Sequence, residues 1–332
     1  MNPSLRFNKA IRESQIPRIE QILSLPETNL CHPSYIQLES TTKCNMKCRP
    51  CLRSEGENFD MPFNLFTSII DQLNNGKCGT KHVDLTGVGE PLLNPNLVSM
   101  IDYAKKGGFQ VSFTSNFSLI NKTIAEKLID AKLDFMYISF DAASKKMFEK
   151  LRAGSNFEKT ISNIELFTRI KKEKNVINPK FRFYVTLGDE NLGEIEGIIK
   201  IADELGINSI NFNRQIVPGL EYWKNELPVF LIWEKMSEYK VYIGRRAIPL
   251  RRAQYCVALK GCFITYDGKV LPCNRLTQLI PRKEYLDHYF GDLNNKSLSE
   301  VWFSSEYRKF RTKLAFGSHP SICNYCTHSY QM

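Results

Sequence analysis

Three cysteines, Cys44, Cys48 and Cys51, lie close together in the segment CNMKCRPC, directly after a predicted strand. A four-iron cubane cluster is normally held by four thiolates, so three thiolates leave one iron open to an exchangeable ligand. This spacing predicts a cluster that acts chemically on a bound molecule in addition to carrying electrons. A structural zinc site more often shows paired Cys-x-x-Cys motifs and a complete set of four ligands.

The composition of the chain indicates in which kind of protein such a cluster would lie. The chain has 332 residues, ten cysteines and a net charge of +10. It contains no apolar run long enough for a membrane span and no recognisable signal peptide, so we expect a cytoplasmic protein without membrane contact. Ten cysteines then indicate metal or redox chemistry rather than disulfides. The basic residues are dispersed and no nucleic-acid-binding module is recognisable, so no nucleic-acid partner is expected.

Strand-like and helix-like segments alternate through the first two thirds of the chain. Six short runs rich in apolar, β-branched or aromatic residues predict strands: YIQLEST, HVDLTG, FQVSFTS, FMYISFD, FRFYVTL and INSINFN. Amphipathic segments between them predict helices. The alternation of strands and helices implies a parallel sheet with right-handed crossovers. Six units are too few for a closed eight-stranded barrel, so we expect an α/β fold with a partial (β/α)6 TIM-like barrel. Ligands gather at the carboxyl ends of such strands, where the three cysteines lie.

The pattern divides the chain into four predicted parts. Residues 1–34 form a helical extension, 35–217 the partial barrel, 218–255 a connector with one or two helices, and 256–332 a small α+β domain rich in cysteine. In this last part, the segment GCFITYDGKVLPC has two short strand-like runs around an Asp-Gly pair. That pairing predicts a β-hairpin.

From about residue 35 to its end, the chain resembles a radical S-adenosylmethionine (SAM) enzyme with a C-terminal SPASM or twitch-type auxiliary-cluster domain. The resemblance implies that Cys44, Cys48 and Cys51 bind a [4Fe–4S] cluster whose open iron holds the amino and carboxylate groups of SAM. It also implies that an electron from the cluster cleaves SAM to a 5′-deoxyadenosyl radical, which abstracts hydrogen from a substrate. The fold must bury this chemistry away from water.

The segment LTGVGEP resembles the glycine-rich element of that family, with Val88 in place of one glycine. The resemblance implies that Gly87, Gly89 and Glu90 bring backbone and carboxylate groups to the SAM ammonium. A tight loop after a strand is the alternative interpretation. Pro50 stands where the family usually has an aromatic residue, and its carbonyl is expected to accept from the adenine amine.

The ends of further strands supply more candidates for SAM binding. Alternation along a strand puts Ser139 and Asp141 on one face, and similar family positions bind the ribose hydroxyls or the SAM carboxylate. A cap on the following helix, starting near residue 142, is the alternative for Asp141, and a surface ion pair is the alternative for Arg214. The other candidates are Ser115, Asn116, Asn213 and Val217.

For the auxiliary [4Fe–4S] cluster, the resemblance implies four thiolate ligands, with structural zinc as the alternative occupant. These ligands are Cys256, Cys273, Cys323 and Cys326. Of the other cysteines, Cys31 and Cys78 are interpreted as small buried residues. Alternation in CFITYD predicts that Cys262 faces the substrate, where it would return a hydrogen atom to a substrate radical. A buried strand residue or an alternative cluster ligand is the other interpretation.

The function predicted from these features is that of a radical SAM oxidoreductase or epimerase. Its expected substrate is a small polar molecule such as a sugar, an aminocyclitol or a nucleotide-linked intermediate. A maturase that modifies a ribosomally made precursor peptide is the first alternative, and a non-catalytic zinc-binding scaffold is the second. The expected electron donor is an acidic flavodoxin or ferredoxin, to which a basic surface is complementary.

Overall fold

The computed structural model describes residues 33–49, 51–53, 56–75, 80–207, 209–214, 240–243, 256–315 and 320–323. The predicted helical extension therefore lies outside the described residues, apart from its last two positions. The same is true of most of the predicted connector and of five predicted functional or buried residues. These are Cys31, Pro50, Cys78, Val217 and Cys326.

Ten strands of the described residues form a single sheet in the order β10-β9-β8-β1-β2-β3-β4-β5-β6-β7. Strand β8 and strands β1 to β7 pair in parallel, whereas β9 and β10 are antiparallel. In chain order the strands are β1 Tyr35–Leu38, β2 His82–Asp84, β3 Gln110–Ser115, β4 Phe135–Ser139, β5 Lys180–Leu187, β6 Ser209–Arg214, β7 Lys240–Ile243, β8 Gly261–Ile264, β9 Lys269–Leu271 and β10 Gly291–Asp292. The six predicted strands are confirmed as β1 to β6, in an open sheet typical of a partial barrel.

Strand β7 is a difference from the prediction. It lies inside the segment 218–255, which was expected to be a connector with one or two helices, and it pairs in parallel with β6. A strand of only four residues has too little periodicity to be distinguished from its surroundings. Its conformation is stabilised by hydrogen bonds to the edge of β6, which are contacts between distant parts of the chain.

Ten helices accompany the sheet in the described residues. They are α1 Phe63–Asn75, α2 Leu97–Lys106, α3 Lys122–Asp130, α4 Lys145–Leu151, α5 Phe157–Glu173, α6 Ile195–Glu204, α7 Leu276–Leu279, α8 Arg282–Tyr285, α9 Leu298–Trp302 and α10 Ser305–Ala315. The predicted amphipathic segments are confirmed as α1, α2, α3, α5 and α6. Helices α3 and α5 begin where the side chains of Asn121 and Asn156 accept hydrogen bonds from the backbone.

The two faces of the sheet differ in polarity. In β4, Met136 and Ile138 are fully buried in the core that the sheet shares with the helices. Tyr137 and Ser139 alternate with them and are half-buried on the opposite face, which we call the inner face. The same alternation recurs in β5, where Phe183 is fully buried. The inner face is therefore the accessible side of the sheet.

The C-terminal segment continues this sheet. Strand β8 pairs with β1, and β8 and β9 form the predicted hairpin around Asp267 and Gly268. Gly268 has a φ of 91°, a conformation that glycine adopts without strain. Among the described residues, no helix combines the length and the apolar character needed to cross a bilayer.

Candidate functional site

The loop that carries the first three cysteines follows β1 at the carboxyl edge of the sheet. Its backbone is held by the end of α4, where Lys47 N donates to Ala153 O at 2.8 Å and Arg49 N donates to Leu151 O at 2.9 Å. Of the three thiols in this loop, two are half-buried and the third, that of Cys51, is exposed. The loop is thus fixed to the sheet while its sulfurs stay accessible.

Asn45, between the first two cysteines, attaches the same loop to the end of β3. Its Nδ2 donates to Ser118 Oγ at 2.8 Å, and its Oδ1 accepts from Asn116 Nδ2 at 2.8 Å. Asn116 was predicted as a SAM-binding residue, and the structure places it beside the cysteine loop. Its side-chain amide positions that loop.

The segment LTGVGEP packs closely on the cysteine loop. A Cβ at Gly87 would overlap the Glu39 side chain, and one at Gly89 would overlap the main-chain oxygens of Thr41 and Lys43. Both glycines are required because no larger residue fits between the two loops. The close approach of these loops, which lie about 40 residues apart in the chain, was not predicted from the sequence.

Glu90 is the buried centre of a small polar cluster below these loops. Its carboxylate accepts from Ser115 Oγ at 2.8 Å and from Asn116 N at 2.7 Å. Burial raises the pKa of Glu90 to about 7, and these hydrogen bonds oppose the rise. Burial also raises the pKa of the Cys44 thiol, to which the charge of Glu90 adds. Three predicted site residues therefore meet at one point beside the first cysteine.

Arg152 is a buried cation that sequence analysis missed. Its Nη1 lies 2.6 Å from Asp141 Oδ2, and its buried Nε has no hydrogen-bond partner within the part of the chain that the structure describes. Burial raises the pKa of the Cys48 thiol, whereas the positive charge of Arg152 opposes that rise. Nothing in the sequence distinguishes this arginine, because basic residues are common near the ends of helices.

Asp141 positions this arginine. Its second carboxylate oxygen accepts from Thr186 N at 2.7 Å. The alternative that Asp141 caps the next helix is wrong, because α4 begins at Lys145 and the preceding backbone N–H groups of residues 143 and 144 donate to Glu194. Each oxygen of Asp141 accepts a hydrogen bond within the protein, and the ribose contact stays a prediction.

The remaining described candidates lie at the ends of β4 and β6. Ser139 is half-buried on the inner face. Asn213 is paired across the sheet with Thr186, and its buried Nδ2 finds no hydrogen-bond partner in the described ranges. Arg214 is the last residue of β6. Asn213 and Arg152 thus each present a donor that is unpartnered among the described residues. Arg152 bonds Asp141, which accepts from Thr186, and Asn213 is paired with Thr186 in the sheet.

A second group of cysteines lies in the C-terminal segment. Cys256 precedes a single 3-10 turn, Cys273 follows β9, and Cys323 ends another short turn. All three are half-buried against the common core. The buried Tyr307 of α10 is affected by the charges of Cys262, Cys273 and Cys256, although burial is the larger cause of its raised pKa. Tyr307 therefore lies within the electrostatic reach of Cys256 and Cys273.

The orientation predicted for Cys262 is wrong. In the parallel pairing of β8 with β1, Cys262 is opposite Ile36, and its neighbour Phe263 is opposite Gln37. Ile36 faces the buried core, so Cys262 shares that side and is only 2% exposed. Burial raises the pKa of its thiol to about 12. The thiol consequently faces α10 instead of the inner face, where a substrate could be reached.

A buried ion pair joins the end of β1 to the C-terminal segment. Glu39, the residue after β1, is fully buried and lies 3.0 Å from Arg282 of α8. The same carboxylate accepts from the backbone N–H of Val88 at 3.4 Å and of Tyr266 at 3.3 Å. One side chain at the end of β1 thus contacts the glycine-rich loop and the C-terminal segment.

Comparison with known proteins identifies the family. The model of the radical SAM superfamily matches residues 38–202, and that of the SPASM iron–sulfur cluster-binding domain matches residues 256–327. A probable GTP 3′,8-cyclase of Methanococcus maripaludis is 34% identical over 257 residues, which cover 71% of this chain and 84% of the relative. The chain belongs to the radical SAM superfamily.

Other radical SAM-like sequences and structures match over most of their length. The tungsten-containing aldehyde ferredoxin oxidoreductase cofactor-modifying protein of Pyrococcus furiosus is 25% identical over 316 residues, which cover 88% of this chain and 87% of the relative. The crystal structure of Streptococcus suis SuiB bound to precursor peptide SuiA matches with a TM-score of 0.68 at 16% identity, covering 93% of this chain and 72% of SuiB. The fold is therefore that of a radical SAM enzyme with a C-terminal SPASM domain.

Membership in this superfamily implies [4Fe–4S] clusters and SAM as cofactors, and the described residues fit them. The three thiols of the first loop lie close enough for the charges of Cys48 and Cys51 to act on Cys44. The unpartnered donors of Arg152 and Asn213 match a ligand rich in acceptors, since buried polar groups normally have partners. The two family models, which cover both groups of cysteines, are those of iron–sulfur proteins. The alternative of a non-catalytic zinc-binding scaffold is therefore set aside.

Proposed function

We propose that this radical SAM enzyme abstracts a hydrogen atom from a small, hydroxyl-bearing polar substrate bound at the inner face, which leads to oxidation or epimerisation. When bound, the three-cysteine cluster and SAM supply the 5′-deoxyadenosyl radical. The observation that supports this substrate class is the polarity of the inner face. A sugar, an aminocyclitol or a nucleotide-linked molecule has the required hydroxyl groups.

Six half-buried hydroxyl groups line the inner face of β2 to β5 and the ends of these strands. Each hydroxyl can donate one hydrogen bond and accept others, so together they suit a polyhydroxylated ligand. The rings of Tyr137 and Tyr184 lie 6.0 Å apart and add flat surfaces on which a ring could pack. The six residues are Thr86, Thr114, Tyr137, Ser139, Tyr184 and Thr186.

A rigid polar network lies beneath these hydroxyls. Ser112 Oγ donates to Asp84 Oδ2 at 2.7 Å and lies 2.8 Å from His82 Nε2. Arg182 Nε donates to Ser209 Oγ at 2.8 Å. Burial raises the pKa of Asp84 and lowers that of His82, which disfavours the charged form of each. Because these groups hold one another, the hydroxyls above them are preorganised for a polar ligand.

We assign the SAM-binding roles on the same basis. Cys44, Cys48 and Cys51 hold the first cluster, and Arg152 binds the SAM carboxylate, since a buried guanidinium with an unpaired N–H favours an anion. The carboxylate of Glu90 keeps acceptor capacity for the SAM ammonium. Ser139, Asn213 and Arg214 contact the rest of SAM. The proposal also keeps Pro50 and Val217 at the adenine, and Cys256, Cys273, Cys323 and Cys326 as ligands of the auxiliary cluster.

The variant Arg152→Lys tests the carboxylate assignment. Lysine retains a charge for Asp141 but lacks the unpaired Nε–H, so the KM for SAM should rise roughly 10- to 100-fold, the loss expected for one charge-assisted hydrogen bond. The measurement is 5′-deoxyadenosine formation at varied SAM concentration. Arg49→Lys is the matched control, because Arg49 borders the same loop but is 59% exposed and pairs with Glu190. Equal KM values in the two variants would refute the assignment.

A substrate screen tests the proposed function directly. Reduced enzyme and SAM are incubated with nucleotides, nucleotide sugars and aminocyclitols while 5′-deoxyadenosine is measured. Nucleotides come first, because relatives with 34% and 29% identity are named as a GTP 3′,8-cyclase and a nucleotide dehydratase. A deuterated substrate should transfer deuterium to 5′-deoxyadenosine. Stimulation by a precursor peptide alone would favour the maturase alternative, for which the structural match to SuiB indicates only a shared fold.

The variant Tyr184→Phe tests whether the inner face binds the substrate. The Tyr184 hydroxyl makes no hydrogen bond within the described residues, so its removal leaves the protein intact but takes one donor from the substrate. The KM for the substrate should rise about 5- to 10-fold, as for one hydrogen bond, with uncoupled SAM cleavage unchanged. Tyr103→Phe is the control, because Tyr103 bonds Asp71 on the far side of the helices. No difference between the two variants would place the substrate elsewhere.

The electron donor belongs to the proposal as well. We infer that a flavodoxin or ferredoxin of the cytoplasm docks near the exposed Cys51, where Lys47 and Arg49 of the same loop add positive charge. Complementary charge speeds such an encounter and makes it sensitive to salt. Reduction by an acidic flavodoxin should therefore slow as ionic strength rises.

A further inference from the structure

We propose that Tyr307 and Arg311, two buried residues of α10, donate hydrogen bonds to the sulfur atoms of the auxiliary cluster and thereby raise its reduction potential. The inference rests on the proposed function in one respect, the assignment of an auxiliary cluster to the C-terminal cysteines. It adds a role for two side chains that are not ligands. Both are positioning residues, since they act through the cluster.

Both residues have a polar group that lacks a partner in a place where water does not reach. Tyr307 is 0% exposed and Arg311 is 6% exposed. The Oη of Tyr307 and the Nη1 of Arg311 are buried and have no hydrogen-bond partner among the described residues. Leaving a buried donor unpaired is costly, and more so when the donor is charged. Two such groups on one short helix, one turn apart, indicate a ligand that accepts hydrogen bonds from both.

The cysteines are the nearest groups that could bring such an acceptor. Helix α10 packs on the 3-10 turn Val257–Leu259, which directly follows Cys256. Cys262, Cys273 and Cys256 lie close enough that a charge on any of them would act on the Tyr307 hydroxyl, and Cys262 lies close enough to act on Arg311 in the same way. Thiolates and inorganic sulfides of an iron–sulfur cluster are acceptors only. The unpartnered donors and the predicted cluster therefore have complementary chemistry.

The two side chains are held rigidly, so their donors have fixed directions. The ring of Tyr307 stacks on Phe290 with centroids 4.1 Å apart. The guanidinium of Arg311 lies 3.9 Å from the Trp302 ring centroid and 4.6 Å from that of Tyr307. Its Nη2 donates to Trp302 O at 2.8 Å. These contacts involve the face of the Tyr307 ring, the face of the Arg311 guanidinium and its Nη2. Among the described residues they leave the Tyr307 hydroxyl and Arg311 Nη1 unpaired.

The sign of the effect follows from charge. Reduction adds one electron to the cluster, and hydrogen-bond donors or a positive charge close to its sulfurs stabilise that more negative state. Burial lowers the pKa of Arg311 to about 10, so the guanidinium is still charged at neutral pH. Both residues should therefore raise the reduction potential, and removing either donor should lower it.

An EPR-monitored redox titration of the reconstituted holoenzyme tests the inference. The SAM-binding cluster is recognised because its signal changes when SAM is added, and the other signal reports the auxiliary cluster. In Tyr307→Phe, the oxidised-to-reduced ratio of the auxiliary cluster should rise about tenfold at the wild-type midpoint, a shift of about 59 mV for one electron. Arg311→Met should lower the potential further, and Tyr289→Phe, at an exposed tyrosine of the same segment, should leave it unchanged.

Outcomes of this experiment separate the inference from its premise. An auxiliary potential in Tyr307→Phe and Arg311→Met equal to that of Tyr289→Phe, with about eight irons per chain, would overturn the hydrogen-bonding role alone. About four irons in the wild type would overturn the auxiliary cluster and the inference with it. In the wild type, ENDOR of the reduced auxiliary cluster should show an exchangeable-proton coupling that Tyr307→Phe loses, a test that does not require Arg311→Met to fold.

Discussion

Replacing Cys48 by alanine is expected to reduce 5′-deoxyadenosine formation at least about a thousand-fold. The reason is that the variant loses the cluster that supplies the electron for SAM cleavage. The charge of the buried Arg152 acts on the Cys48 thiol. Without Cys48, the two remaining thiolates cannot retain a four-iron cluster. Iron per chain should fall from about eight to about four, and the SAM-dependent EPR signal should disappear. The measurements are iron and sulfide analysis, EPR and chromatography of the nucleoside product.

Two matched cysteine variants control this result. Cys273→Ala should also lose about four irons but keep SAM cleavage, because only the auxiliary cluster is affected. Cys262→Ala should keep both clusters, since this thiol is buried on the helix side of β8. SAM cleavage by Cys48→Ala at the level of Cys262→Ala would contradict the assignment of the first cluster. Altered deuterium incorporation in the product of Cys262→Ala would restore the predicted hydrogen-atom donor.

Replacing Arg282 by methionine is expected to lower the free energy of unfolding by about 3–5 kcal/mol, the usual cost of removing one partner of a buried ion pair. Glu39 is fully buried, and burial raises its pKa while Arg282 is the largest opposing influence. Without that partner, the fully buried carboxylate keeps only the hydrogen bonds from the backbone N–H groups of Val88 and Tyr266 among the described residues. Thermal unfolding of the anaerobic holoenzyme measures the loss.

Controls for this variant use an exposed pair and a double replacement. Arg49→Met breaks the exposed ion pair with Glu190 and should cost no more than about 1 kcal/mol. Glu39→Leu combined with Arg282→Met replaces the whole pair by apolar groups and should recover most of the stability. If Arg282→Met were no less stable than Arg49→Met, the buried pair would not be what holds the C-terminal segment to the end of β1 and the glycine-rich loop.

Local patterns were sufficient to predict most elements of the fold. The six central strands and five amphipathic helices followed from periodicity, which each segment carries within its own residues. Strand β7 was missed because four residues carry almost no periodicity. The hairpin around Asp267 and Gly268 was predicted, since its turn depends on two adjacent residues. What could not be predicted was that β8 pairs with β1 and extends the same sheet.

The site residues also divide into those that local patterns predicted and those that depend on contacts between distant parts of the chain. Ser115 and Asn116 were predicted as candidates from the end of a strand and Glu90 from the resemblance of LTGVGEP to the family's glycine-rich element, and the structure brings the three together. Arg152 was missed because an arginine at a helix end has no distinctive pattern until its burial is known. Cys262 was assigned to the wrong face because alternation gives two faces without saying which one is inside.

By itself, the sequence determined the chemistry of this protein: the spacing of three thiols in eight residues predicts an iron–sulfur cluster with an open iron, and the family match agrees with that prediction. Only the tertiary structure decided which charges are buried, which face of β8 is inner and which donors lack partners. The physical reason is distance along the chain. Metal-ligand spacing is local, whereas register, burial and unpaired hydrogen bonds arise from contacts such as that of Glu39 with Arg282, 243 residues apart.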